Sequence, residues 1–281
     1  MPTFTDAHGV HIHYRSWRVP VPKAAVQLAH GVGEHIGRYA ELIEALNGAG
    51  YSVWADDHRG HGQTGFEQHG GDLDRLGRLG PGGLRATIAA VEQFTEVIRE
   101  AEGDLPLILL GHSWGSLMAQ IIVNRRARDY DAVVLTGTAY RTPFDMNGGD
   151  LNARHKHLGP TPVEWLSRDP EVPPAFMADP YTTAVPLRKL FGTRDAMRLL
   201  GRPAKHLPAE LPMLIMVGDD DPLGGEASAV KLANAYARRS GLADVTLVVY
   251  PEARHEVFNE TNRDEVRADL ITWLDERFAD D

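Results

Sequence analysis

The sequence predicts an α/β protein: a mostly parallel central sheet flanked by helices, interrupted by one helical insertion. Three observations predict it. Short apolar, β-rich runs alternate with amphipathic helical windows along most of the 281 residues, and such alternation places parallel strands between helical layers. One stretch of about 70 residues lacks any buried-strand run, which is too long for a plain connection in a compact domain. The composition, 43% hydrophobic and 24% charged, is that of a folded chain rather than a disordered one.

Residues 11–17 alternate in polarity and read as an antiparallel edge strand. The runs 24–29, 51–55, 106–110, 132–136, 213–217 and 245–250 read as buried strands. Helical windows fall at 36–47, 84–101, 114–125, 227–239 and 265–278, and Leu84, Ile88, Val91, Val97 and Ile98 keep a rough helical period. Gly48 and Gly50 close the first window, as glycines do at helix C-termini. From 137 to 207 prolines are frequent and two short helical candidates stand out, 162–166 and 187–200. The expected plan is a core built from 1–136 and 208–281, with 137–207 as a helical cap over the strand ends.

A formal net charge of −10 disfavours nucleic acid and anionic membrane surfaces as general partners. Cysteine is absent, which excludes disulfides, thiol nucleophiles and cysteine-held metals. Residues 1–6 lack the basic and apolar parts of a signal peptide, and no run of about 18 apolar residues occurs. A cytoplasmic location without a membrane span is therefore expected; oligomeric state is not legible. The 13 histidines show no convincing metal spacing. His11 and His13 alternate on the edge strand, and they, like His155 and His157, are expected to be solvated, with no metal or cofactor bound.

The strongest chemical signal is Gly111-His112-Ser113-Trp114-Gly115, between a buried strand and a helical window. A serine on a tight strand-to-helix turn exposes its hydroxyl, and small flanking residues avoid collisions there. The helix N-terminus adds a positive dipole near a developing oxyanion. A serine nucleophile needs a base, and the base needs an orienting acid. The strand 213–217 ends in Gly218-Asp219-Asp220-Asp221-Pro222, on the face where ligands bind in parallel sheets. Spacing alone does not choose among three consecutive aspartates; mutual repulsion requires at least one to face water. His255 follows the last strand and is the one histidine that comes after both serine and acid in a post-strand loop. The strand 24–29 ends in His30-Gly31-Val32-Gly33, so the amides of Val32 and Trp114 are the candidate oxyanion donors.

With these segments together, the chain resembles the monoacylglycerol lipase and lysophospholipase group of α/β hydrolases, near the serine aminopeptidase-like branch. The resemblance is carried by His30-Gly31-Val32-Gly33-Glu34-His35-Ile36-Gly37-Arg38-Tyr39, Asp57-His58-Arg59-Gly60-His61-Gly62, Gly111 to Gly115, Leu166-Ser167-Arg168-Asp169-Pro170 with Asp179-Pro180, Gly218-x-x-Asp221 and Glu252-x-x-His255-Glu256. It spans nearly the whole chain. It implies the α/β-hydrolase fold with a helical cap, no cofactor, and the acid role at Asp221. It implies hydrolysis of a carboxylic monoester, such as a monoacylglycerol, a lysolipid or a small aromatic or alkyl ester, through an acyl-enzyme. Amide or carbon–carbon bond hydrolysis and a non-catalytic ligand receptor are the alternatives on the same scaffold. The loop after 132–136 reads Gly137-Thr138-Ala139-Tyr140 without the relatives' common Ser-Pro pair, and the insertion is rich in polar residues, which weighs against a plain long-chain lipid.

Gly31, His112, Phe144, Met146, Trp165 and Phe176 are the candidate substrate-pocket residues. Trp114 is expected either to wall that pocket or to pack in the core. Asp57, His58 and Arg59 are expected to tie down a loop through buried hydrogen bonds, and Glu34, His35, Arg38 and Tyr39 to brace the oxyanion segment.

Overall fold

Alternate side chains of a strand go to opposite faces, and here that period divides the interior into two apolar layers. In the computed structural model, which describes residues 1–279, eight strands form one sheet: β1 (Thr3–Thr5), β2 (His11–Trp17), β3 (Ala24–Ala29), β4 (Tyr51–Asp56), β5 (Leu107–His112), β6 (Ala132–Thr136), β7 (Met213–Gly218) and β8 (Val245–Tyr250). Their spatial order is β1-β2-β4-β3-β5-β6-β7-β8. The pairs β1/β2 and β2/β4 are antiparallel and all others parallel. Val26, Leu28, Ile108, Leu110, Val134, Leu214 and Met216 pack on one side with α1 (Ala40–Gly48) and α8 (Arg263–Phe278). Leu107, Leu109, Val133, Leu135, Met213, Ile215 and Val217 pack on the other with α3 (Gly83–Glu102), α4 (Trp114–Arg126) and α7 (Gly225–Ala235).

The expected strands and core helices form within one to three residues of their sequence bounds, with two changes of detail. The first window splits into a 3₁₀ turn over Ile36–Tyr39 followed by α1, and α7 runs on into a π-helical turn over Tyr236–Ser240. The chain also forms β1, the short α2 (Gly62–Gln68) and α5 (Val172–Ala178), none of which was expected. Between β6 and β7 no strand forms among the described residues, and α5 and α6 (Leu187–Arg198) are the helices of that stretch. The helix expected at 162–166 is absent; those residues form turns. Their backbone is used instead by the loop after β8, as described below. No helix among the described residues is long and apolar enough to cross a membrane.

The parallel strands all run the same way, so β3, β5, β7 and β8 bring their C-terminal loops to one edge of the sheet. The strand order reverses around β3 and β5, the switch point at which open α/β sheets form their clefts.

Candidate active site

Ser113 sits at the tip of β5 with φ 53° and ψ −123°, a left-handed conformation that costs a non-glycine residue about 1–3 kcal/mol. The surroundings enforce it. The Ser113 amide donates to Thr136 O at 2.9 Å, and the Ser116 hydroxyl and the Leu117 amide both donate to Ser113 O, at 2.6 and 3.1 Å. A methyl at Gly115 would run into the carbonyl of Ala29, so the start of α4 lies directly on the end of β3. Ser113 is 8% exposed.

The loop after β8 carries His255, and the turn after β7 carries the aspartates. His255 Nδ1 lies 3.0 Å from each carboxylate oxygen of Asp221. A carboxylate only accepts, so Nδ1 bears the proton and Nε2 of the neutral ring carries the lone pair. Nε2 is buried without a hydrogen-bond partner among the described residues, so no hydrogen bond joins it to Ser113. Asp221 Oδ1 also accepts the Leu223 amide at 2.8 Å. Burial alone would push the His255 imidazole down. The charge and hydrogen bond of Asp221, with the charges of Glu256 and Glu34, outweigh it and hold the imidazole above the ordinary histidine range. Asp219 is exposed. Asp220 turns the other way, 2.7 Å from His155 Nε2 and 3.0 Å from Arg154.

The loop after β3 lies against the serine: a methyl built on Gly31 would stand 3.1 Å from Ser113 Cβ. Among the described residues the amides of Val32 and Trp114 donate no hydrogen bond within the chain. Gly31 itself is fastened on both sides. Its amide donates to Glu34 Oε1 at 2.5 Å, and its carbonyl accepts from His30 Nδ1 at 2.7 Å. Gly33 holds φ +76°, and its carbonyl accepts the Thr183 amide at 2.8 Å.

Glu34 is the hub of a buried charged group beneath this loop. It accepts from the Tyr39 hydroxyl at 2.7 Å and from Arg38 at 2.8 Å. Arg38 also clasps Glu256 through two bonds of 2.5 and 2.8 Å, which joins the segment after β3 to the residue after His255. Side chains of Glu34 and Glu256 are each 5% exposed. His35 reaches outward instead, 2.8 Å from Asp179 in the stretch between β6 and β7.

Residues 20–262 match the family described as "Serine aminopeptidase, S33". The chain belongs to that family, in the monoacylglycerol-lipase-like group of α/β hydrolases. It is 35% identical to a monoacylglycerol lipase of Mycolicibacterium smegmatis, over 97% of this chain and 95% of that one. It is 27% identical to the human monoglyceride lipase, over 99% and 91%. Among solved structures, the Paleococcus ferrophilus monoacylglycerol lipase superposes with a TM-score of 0.68 at 25% identity, covering 94% of this chain and 98% of that one. A Bacillus coagulans carboxyl esterase superposes with a TM-score of 0.82 at 24% identity, covering 99% and 98%, which speaks to the fold. The protein is a carboxylic ester hydrolase of this group.

Within this hydrolase the pocket candidates separate. The His112 ring lies 4.9 Å from that of His255 and the Trp165 ring 4.6 Å from it. Burial and the neighbouring His255 hold His112 down at about 4, so it is neutral. Phe144 is corrected to a surface residue, 97% exposed, because the turn that carries it leaves the core. Phe176 packs in a small apolar cluster with Val163 and Leu166, its ring 4.8 Å from the Arg38 guanidinium. Met146 packs against the core layer that holds α3, α4 and α7. Trp114 is core, 1% exposed between His58, His61 and Phe191. His155 is buried on Asp220 rather than solvated, and His11 and His13 both bond Glu67, at 2.8 and 2.6 Å. No metal-holding group of side chains occurs among the described residues. The Asp57 carboxylate accepts the amides of Ile36 and Gln63, and Arg59 bonds Asp6 and the carbonyls of Leu79 and Pro81; these residues tie down the loop after β4.

Sequence reasoning passed over Arg254 and Thr183. Arg254 donates to the carbonyls of Glu164 and Ser167 at 2.7 Å each, and its position next to His255 was the available signal. Thr183 meets Gly33 through its backbone, which leaves no mark in residue type.

Proposed function

We propose that the protein hydrolyses a carboxylic monoester by an acyl-enzyme route, with Ser113 as nucleophile, His255 as base and Asp221 as orienting acid. The observation that carries this is the His255 Nδ1 pair of 3.0 Å contacts to Asp221, which leaves the Nε2 lone pair buried and uncommitted, on a ring 4.9 Å from that of His112, the residue before Ser113. In the first step Nε2 takes the Ser113 proton as Oγ adds to the ester carbonyl. The amides of Val32 and Trp114 receive the oxyanion, a contribution of about 3 kcal/mol per donor. The imidazolium then returns the proton to the leaving alcohol. Water, deprotonated by the same nitrogen, releases the acid and restores the serine. His112, held neutral beside His255, adds no competing charge.

In this reading 137–207 is the cap, and Trp165 on the His255 ring belongs to its inner surface. A monoacylglycerol or another small ester of an alcohol is the substrate class, in keeping with the monoacylglycerol and monoglyceride lipases the chain resembles. The test is Ser113→Ala with p-nitrophenyl butyrate and monoacylglycerols, alongside labelling of the parent by a fluorophosphonate probe. The expected outcome is loss of turnover and of labelling. A Ser113→Ala protein that still turns over ester removes the assignment.

A further inference from the structure

We propose that His30 is a positioning residue for ester hydrolysis: its side chain sets the rotation of the Gly31–Val32 peptide and so aims the Val32 amide at the oxyanion. The proposal rests on the site assignment above and extends it to a group that touches neither substrate nor Ser113.

The argument starts from the proton on the ring. The His58 backbone amide points at His30 Nε2 at 3.0 Å. A backbone N–H can only donate, so Nε2 must be the lone-pair nitrogen and the proton must sit on Nδ1. Nδ1 lies 2.7 Å from Gly31 O, so this contact is an N–H donated to a carbonyl. The ring is fully buried and stacks on His58 with centroids 4.0 Å apart. Burial, with the neighbouring His58 and His61, holds the His30 imidazole well below the ordinary histidine range. A neutral ring with a single fixed tautomer follows.

That tautomer decides a geometry one bond further on. Gly31 C=O and Val32 N–H belong to the same planar trans peptide and point in opposite directions. Drawing the carbonyl toward His30 turns the Val32 N–H to the far side, and that amide donates to no group of the chain among the described residues. Glu34 holds the preceding amide, that of Gly31, at 2.5 Å. The two side chains thus clamp Gly31 from both sides and leave its Cα beside Ser113. A flexible glycine without this clamp rotates its following peptide at little cost, and an oxyanion donor that must first reorient contributes less to the transition state.

Two isosteres separate this role from that of a mere brace. Asparagine places an amide N–H near the Nδ1 position and keeps the bond to Gly31 O. Glutamine reaches the Nε2 position, where its carbonyl keeps the bond from His58 N. With p-nitrophenyl butyrate, His30→Asn is expected to keep kcat within about tenfold of the parent. His30→Gln is expected to lose kcat about 100-fold, the scale of one lost oxyanion donor, with KM within about threefold because ground-state binding is untouched. Thermal denaturation is run on both. Equal kcat in the two variants, high or low, overturns the proposal. So does the reversed order, in which the glutamine variant is the active one, since that is the signature of a brace for the His58 loop. Ser113→Ala, made with His30 intact, is read separately: residual turnover there removes the nucleophile, whereas an inverted Asn/Gln order beside an inactive Ser113→Ala removes only the peptide clamp.

Discussion

Asp221→Asn tests the site where the sequence was most ambiguous. The perturbation swaps one oxygen for an NH₂ while keeping the shape. In the structure Asp221 receives two donors, the His255 Nδ1–H at 3.0 Å and the Leu223 amide at 2.8 Å. The Leu223 amide, a backbone donor, cannot become an acceptor, so the asparagine oxygen stays at the Oδ1 position and the NH₂ takes that of Oδ2, which is also 3.0 Å from Nδ1. There the NH₂ opposes the Nδ1 proton, donor against donor, and favours the tautomer with the proton on Nε2, where it blocks attack on the serine proton. A wrong tautomer of this kind costs about 10⁴ in kcat, or about 5 kcal/mol of barrier. The pH profile gives an independent sign. The active form is the neutral imidazole, so activity falls as pH drops through the His255 pKa, which in the parent is raised. Without the Asp221 charge, burial dominates, and the acid limb of kcat/KM for the residual activity moves to lower pH. Asp220→Asn is the control: its carboxylate is committed to His155 and Arg154, and kcat stays within about fivefold. Steady-state kinetics on p-nitrophenyl butyrate from pH 5 to 9 are the assay. An Asp221→Asn enzyme within tenfold of the parent, or an acid limb displaced upward, would refute the reasoning, as would equal losses in the two variants.

Arg38→Met leaves Glu34 and Glu256 buried without their shared cation, and the expected loss is about 3–5 kcal/mol of folding stability at neutral pH, measured by urea denaturation. Burial opposes ionisation of Glu256, but Arg38 outweighs it and holds that carboxyl below its ordinary range; the parent therefore has this stability above the unfolded-state value and loses it as pH falls through the lowered one. The gap between parent and variant should narrow in acid, and a gap that widens there would count against the assignment. Gly33→Ala forces an L side chain to φ +76°, about 1–2 kcal/mol, and presses a methyl into Thr183 O, loosening a hydrogen bond worth about 1 kcal/mol. Its melting temperature and its kcat should both drop; full activity would show that the Val32 amide tolerates displacement.

Much of the fold was legible because the short continuous apolar runs at 24–29, 106–110 and 213–217, set between helical windows, read as buried parallel strands. The elements that escaped are those whose cause is not local. Thr3–Thr5 is a three-residue strand, too short for any period. The α2 window holds Gly62 and Gly65, poor helix formers kept because Gly65 packs on the backbone of Gly60. The α5 segment opens on two prolines, Pro173 and Pro174, a start signal easily taken for a loop. At the site, spacing alone left Asp219, Asp220 and Asp221 open and the resemblance implied Asp221; the fold adds what each one meets, with Asp221 on His255 and Asp220 on His155 and Arg154. The surroundings of Phe144 and Phe176 were illegible for the same reason: an apolar type in an irregular stretch says that something covers it or nothing does, and not what.

The stretch around residues 163–168 is riveted to the segment that follows β8. The His255 and Glu256 amides donate to the carbonyls of Trp165 and Leu166, Arg254 holds those of Glu164 and Ser167, and Arg168 pairs with the buried Glu260 at 2.8 Å. On the proposed reading of 137–207 as a cap and His255 as base, lifting this stretch to admit a guest would pull the imidazole off its carboxylate, so an opening that preserves readiness for reaction leaves these contacts in place.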